Sequence, residues 1–123
     1  MPSQAHLESF LASSFRSVWA LELLKFLADN PDTYFAAGQL IDALRASEAV
    51  VAQSIANLAA AGLVVVDGEG GVAFTEGSAE QRALTLAAID FYRKSPDKVR
   101  RLIIAQSAPG VAAFADAFRL RKD

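Results

Sequence analysis

The sequence contains no cysteine and only one histidine, His6. Without cysteine the chain forms neither disulfide bonds nor thiolate metal sites, and a cytoplasmic location is the simplest expectation. A single histidine does not suffice for a multi-histidine metal site, and no Ser/His/Asp arrangement is indicated around it. No spacing of carboxylates indicates an acid–base pair either. The sequence therefore argues against an enzyme, and we expect neither a metal ion nor another cofactor.

Long apolar runs are also missing. No stretch approaches the roughly 20 apolar residues that a membrane-spanning helix requires, so we expect no membrane association. The first fifteen residues contain Glu8 and no basic leader, which argues against a secretion signal. The 123 residues are 53% hydrophobic and 21% charged, a composition typical of globular proteins. We expect residues 1–123 to form a single domain.

Basic residues are scarce until late in the chain. Residues 1–92 hold four basic residues against eleven acidic ones, whereas residues 93–123 hold eight against three. This asymmetry indicates either a tail that binds an acidic partner or two parts of one fold that attract each other. The candidates for contacts with a nucleic-acid backbone or a protein partner are Lys94, Lys98, Arg101, Arg119, Arg121 and Lys122.

The apolar spacing predicts a mainly helical chain with one small β-hairpin. One or two helices should end by Asp29, because Pro31 follows, and Tyr34-Phe35 forms a short extended piece. The next helix stops near Arg45. The helix after it is capped by Ser47, buries Val51, Ile55 and Leu58, and ends at Gly62. Residues 63–66 and 72–75 then form a hairpin around a glycine-rich turn.

Further helices are predicted after the hairpin. Ser78 and Gln81 fit a capping box, in which the Gln81 side chain reaches back to the cap residue. That helix breaks at Ser95-Pro96, where Pro96 suits the first helical position of the next. A last short helix is expected after Gly110; its apolar residues are Val111, Phe114, Ala115 and Phe118.

The middle of the chain resembles the winged helix-turn-helix superfamily, and in particular bacterial regulators of the MarR-like type. The resemblance rests on Leu40, Leu44, Ser47, Val51, Ile55, Leu58 and the run Gly62-Leu63-Val64. It covers residues 14–76 and leaves residues 77–123 as a C-terminal helical extension. MarR-like proteins typically dimerise through helices flanking this unit, so the resemblance implies a homodimer that binds duplex DNA to regulate transcription.

The resemblance also implies which residues touch DNA. The helix at about 48–61 would enter the major groove, and the candidate contacts are Arg45, Ser47, Gln53, Ser54 and Asn57. Gln53 and Asn57 are suited to adenine edges, and Arg45 to a phosphate. That helix carries no Lys or Arg, and the turn of the hairpin adds Asp67 and Glu69. Two alternatives therefore stay open: a polar solvated face, or a winged helix that has lost DNA binding and become a protein-interaction module.

Overall fold

Six helices and one two-stranded antiparallel sheet make up the part of the chain that the computed structural model describes, residues 3–75 and 77–107. The helices are α1 (Gln4–Ser14), α2 (Val18–Asp29), α3 (Ala37–Leu44), α4 (Glu48–Ala60), α5 (Ala79–Lys94) and α6 (Pro96–Ser107), and the strands are β1 (Val64–Val66) and β2 (Val72–Phe74). The predicted class, mainly α with a small hairpin, is confirmed. The last predicted helix, after Gly110, lies outside the described residues.

Serine hydroxyls begin four of these helices. Each one accepts a hydrogen bond from a backbone N–H of the first turn, which would otherwise lack a partner. The four caps are Ser3 for α1, Ser17 for α2, Ser47 for α4 and Ser78 for α5. The caps predicted at Ser47 and Ser78 are therefore confirmed.

Helix ends also follow the local sequence. α2 stops at Asp29, as Pro31 predicted. α3 ends at Leu44 because Arg45 adopts a left-handed backbone with φ of 54°. Gly62, at φ of 74°, turns the chain from α4 into β1, as predicted. Because α3 ends at Leu44 and α4 begins at Glu48, only three residues connect these two helices.

The hairpin pairs Val64 with Phe74 and Val66 with Val72. In its turn, Asp67 Oδ1 accepts from the N–H groups of Glu69 and Gly71 at 2.9 and 2.7 Å. The predicted extended piece is present as well, because Phe35 exchanges two backbone hydrogen bonds of 2.9 and 2.8 Å with Val72. The sheet is thereby fastened to the segment between α2 and α3.

One half of the predicted capping box is wrong. Ser78 accepts from the Gln81 N–H at 3.0 Å, as expected. The Gln81 side chain, however, donates its Nε2 to the Gly62 carbonyl at 2.9 Å and does not reach back to the cap residue. The turn that ends α4 offers an acceptor within reach, so Gln81 ties the start of α5 to the α4–β1 junction.

A single hydrophobic cluster draws residues from every helix. α1 packs against α5 and α6, whereas α2 packs mainly against α4 and also contacts β2, α3 and α6. Leu21, Leu23, Leu24 and Leu27 of α2 are fully buried, and each such side chain contributes about 1.5–3 kcal/mol to folding. α2 is thus the central helix, in contact with α3, α4, α6 and the hairpin. Within the described ranges, no helix has both the length and the apolar character needed to cross a bilayer.

Candidate nucleic-acid interface

The outer face of α4 is exposed from its first residue to its last turn. Apart from Glu48 and Gln53, its exposed residues are all alanines: Ala49, Ala52, Ala56, Ala59 and Ala60. Gln53 lies near the middle of the helix and is the exposed side chain of α4 that both donates and accepts hydrogen bonds. A partner lying along this face would meet small side chains, one amide and, at the N-terminal end, one carboxylate.

Ser54 does not belong to that face. Its relative exposure is 3%, and it lies on the buried side of α4 between Val51 and Leu58, three residues after one and four before the other. Residues at this spacing share one face of a helix. The prediction of Ser54 as a DNA contact is therefore at odds with its position, which is in the core.

Asn57 has a structural role that the sequence did not indicate. Its Oδ1 accepts from the Arg16 backbone N–H at 2.8 Å, and its Nδ2 donates to the Ser14 carbonyl at 2.9 Å. One partner is the last residue of α1 and the other lies in the turn that follows it, and both are more than forty positions away in sequence. The amide predicted to read a base is thus engaged on both its atoms in holding this turn against α4.

The two candidates at the start of α4 remain at the surface. The Ser47 hydroxyl accepts from the Val50 N–H at 3.1 Å, and Ser47 is exposed. Arg45 is exposed too, and in the described part of the chain no carboxylate lies within 4.0 Å of its guanidinium. Glu48 places one negative charge beside them. Arg45 is therefore available to an anionic partner at the N-terminal end of α4.

A groove runs between the α1–α2 turn and α4, with a volume of about 650 Å³. Its lining is mostly polar or small and consists of Ser13, Ser14, Arg16, Ser17, Gln53, Ala56, Asn57, Ala60 and Ala61. Arg16 supplies the one charge in this lining. Sequence reasoning missed Arg16, because its approach to α4 depends on a contact across 41 positions. The available signal was a lone arginine in a serine-rich stretch between two apolar segments.

The hairpin adds no positive charge to this surface. Its turn holds Asp67, whose carboxylate is engaged by backbone N–H groups, and the exposed Glu69. Val65 and Val66 of β1 are 41% and 47% exposed. A contact between the hairpin and a polyanion would therefore rely on backbone and apolar groups.

Between positions 93 and 107, the part of the basic segment that the structure describes, most basic residues pair with acidic ones. Lys94 pairs with Asp90 at 3.0 Å, Lys98 with Glu8 at 3.7 Å, and Arg93 with Asp29 at 3.0 Å. Two of these pairs, Lys98–Glu8 and Arg93–Asp29, join the basic end of the chain to its acidic part, as one of the two interpretations expected.

Among the other predicted basic contacts, Arg101 is the one that lies in the described part of the chain. Arg101 donates its Nε to the Asp97 carbonyl at 3.3 Å within α6. Arg119, Arg121 and Lys122 lie outside the described residues. Exposed ion pairs are worth only about 0–1 kcal/mol, so Lys94 and Lys98 remain exchangeable between these partners and an anionic ligand.

A buried tyrosine joins α5 to α2 away from this surface. The Tyr92 hydroxyl donates to Glu22 Oε1 at 2.5 Å, and Tyr92 is 5% exposed. Burial raises the pKa of the Tyr92 hydroxyl, and the hydrogen bond and negative charge of Glu22 raise it further, while Arg100 opposes them. This pair stabilises the packing of α5 on α2.

Among residues 3–75 and 77–107, no three His, Asp or Glu side chains come together as metal ligands would. Comparison with protein-family models, with curated proteins and with solved structures finds no match to this chain.

Proposed function

We propose that this chain binds duplex DNA through a winged helix-turn-helix, with α4 as the recognition helix and no catalytic step. The observation that carries the proposal is the order α3, three-residue turn, α4 and hairpin, with the outer face of α4 open along its whole length. In this class of protein the second helix of the pair lies in the major groove. The proposal includes sequence-specific transcription regulation, the role that the resemblance to MarR-like regulators implies.

The dimensions of α4 suit the groove. Its 13 residues span about 20 Å at about 1.5 Å per residue. The major groove is about 12 Å wide and admits one helix, which approaches closely when its side chains are small. The alanines of α4 permit such an approach and leave Gln53 to reach a base edge. An amide in this position pairs with adenine through two hydrogen bonds.

Affinity must come from outside α4, since the helix has no basic residue. Most of the affinity for duplex DNA arises when basic side chains neutralise phosphates and release counterions. Arg45 is exposed at the N-terminal end of α4 and is free of carboxylates in the described ranges. We further propose a homodimer through the helices after residue 77, because two copies double the number of phosphate contacts. Its two α4 helices would then lie about 34 Å apart, one turn of DNA.

Selection from a random duplex pool, followed by anisotropy titration of the enriched duplex, tests the proposal directly. We expect a recurrent sequence to be enriched, and binding to weaken steeply as salt rises from about 50 to about 200 mM. Gln53→Ala should relax the preference at one or two positions by about 1–3 kcal/mol. Arg45→Ala should weaken binding to every duplex alike. Gln4→Ala, on the exposed side of α1, is the matched control and should leave both properties unchanged.

A protein-interaction module is the second candidate, and the alanine-rich face of α4 favours it. A flat apolar face with Glu48 at one end accepts another protein's helix as readily as a groove. If neither random nor selected duplex binds at low salt, the DNA proposal is wrong and this second function takes its place.

A further inference from the structure

We infer that Arg16 makes a phosphate contact at the C-terminal end of α4, and that Asn57 is the residue that positions it. The inference rests on the proposed DNA binding and adds a contact that the sequence did not indicate. It also changes the expected role of Asn57. Instead of hydrogen bonding to a base, Asn57 holds Arg16 in the position from which Arg16 contacts a DNA phosphate.

Arg16 lies in the turn between α1 and α2, beside α4. It is exposed, it lines the groove along α4, and it is the one charge in that lining. In the parts of the chain that the structure describes, no carboxylate lies within 4.0 Å of its guanidinium. By contrast, Arg93, Lys94, Lys98 and Arg100 each have a carboxylate partner. Arg16 therefore presents an uncompensated positive charge beside the face that carries Gln53.

The turn that carries Arg16 is fixed in place. Asn57 bonds the Ser14 carbonyl and the Arg16 N–H, the two backbone groups on either side of Phe15. Phe15 is 1% exposed and meets Phe10 edge-on at 5.8 Å between ring centroids. A buried ring and two hydrogen bonds hold the backbone of Arg16 against α4 before any ligand arrives. Such preorganisation lowers the entropy that is lost on binding.

The chemistry of the groove indicates a phosphate. A guanidinium offers a planar set of N–H donors that matches two phosphate oxygens, and its charge is permanent. Arg45 lies just before the first residue of α4. Arg16 lies near the other end of this helix, because its backbone N–H donates to Asn57 in the last turn of α4. With Gln53 between them, the two arginines flank the face that would read bases. Phosphates flank the bases of a duplex in the same way.

Arg16→Gln is the primary test, because the side chain is exposed and its loss removes no core contact. Lys25→Gln is the matched control: it removes the same charge from α2, nine positions further on, and does not line the groove. Anisotropy titrations with the selected duplex at about 50 and about 200 mM salt give the salt dependence. Arg16→Gln removes two phosphate contacts from the proposed homodimer, one in each copy, so the slope of log K against log salt should become less steep by about 1.8. Wild type and Lys25→Gln should then lose about 12-fold more affinity over this interval than Arg16→Gln.

Asn57→Ala separates positioning from base reading. We expect it to weaken binding and lower the salt slope, as Arg16→Gln does, while the selected sequence stays the same. In the double variant the two losses should be less than additive, because both act through one contact. Circular dichroism of each variant establishes the folded fraction. If Asn57→Ala is poorly folded, Asn57→Ser, which is also uncharged and too short to make both hydrogen bonds, replaces it.

Three results would overturn the inference. The first is an Arg16→Gln slope equal to that of wild type. The second is an Asn57→Ala variant that changes the preferred sequence and keeps the slope, since it would restore the base-reading role. The third is an equal fall in slope for Lys25→Gln, which would indicate an effect of net charge alone. Failure of the proposed function is a different outcome, in which wild type itself does not bind.

Discussion

Replacing Tyr92 by phenylalanine removes one hydroxyl from the α2–α5 contact and keeps the ring. The lost hydrogen bond joins the hydroxyl to a carboxylate oxygen of Glu22 at 2.5 Å. Hydrogen bonds to charged groups contribute about 1.5–3 kcal/mol, and water can rehydrate the half-buried Glu22, so we expect a cost of about 1–2 kcal/mol. For a chain of 123 residues this lowers Tm by about 3–10 °C.

The stability difference between wild type and Tyr92→Phe should depend on pH, and this dependence tests the reasoning more sharply than the size of the difference. The pKa of Tyr92 is raised in the folded protein, mainly by burial and then by Glu22. As pH rises above the ordinary value of 10.0, the unfolded chain loses a proton that the folded chain keeps, so stability falls. The contribution of Tyr92 is therefore complete below pH 10 and is lost as pH rises through the raised pKa. Tyr92→Phe carries no such proton, so its deficit relative to wild type should narrow above pH 10.

Urea unfolding at pH 8, 9, 10 and 10.5, followed by circular dichroism, measures the effect. The matched control is Tyr34→Phe, because Tyr34 is the other tyrosine and is 53% exposed. At pH 8 the control should change the free energy of unfolding by less than about 0.5 kcal/mol. Equal stability of Tyr92→Phe and wild type at pH 8 would refute the reasoning, and so would a deficit that stays constant up to pH 10.5.

Substitutions at three further positions, two of them paired with a comparison variant, test the fold that supports the candidate interface. Leu58→Ala, at a fully buried position of α4, should cost about 2–5 kcal/mol in chemical denaturation, whereas Ala59→Ser on the exposed face should cost less than about 1 kcal/mol. Gly62→Ala should lower the free energy of unfolding by about 1–2 kcal/mol, because its φ of 74° disfavours any side chain. Ser78→Ala removes the cap of α5 and should cost about 1 kcal/mol in thermal unfolding, an effect that Ser78→Asp should largely restore.

Local signals in the sequence sufficed for most helix boundaries. Ser47 and Ser78 were predicted as caps because a hydroxyl satisfies a free N–H within three residues, and that interaction needs no distant partner. Gly62 was predicted as a stop for a reason equally local, its tolerance of a left-handed backbone. The apolar spacing of Val51 and Leu58 likewise indicated the buried face of α4.

Contacts between distant segments were not predictable in this way. The hydrogen bond from Gln81 to Gly62 and those of Asn57 to the α1–α2 turn join residues 19 and more positions apart, and no local pattern encodes them. Local sequence thus predicts a cap contact for Gln81 and an exposed, base-reading position for Asn57, and both amides instead bond distant backbone groups. Ser54 is a different case. Its spacing from Val51 and Leu58 places it on the buried face of α4, so the helical period alone argues against a DNA contact.

The packing of α1 makes the opening residues of the chain depend on its later ones. Leu7 and Leu11 of α1 are covered by helices that follow the hairpin, although the predicted winged unit begins only after them. A fragment that stops at residue 77 would thus expose these leucines together with the apolar residues of α2 that α6 covers. We expect such a fragment to self-associate or aggregate, so an excised recognition unit would be an unsuitable stand-in for the whole protein.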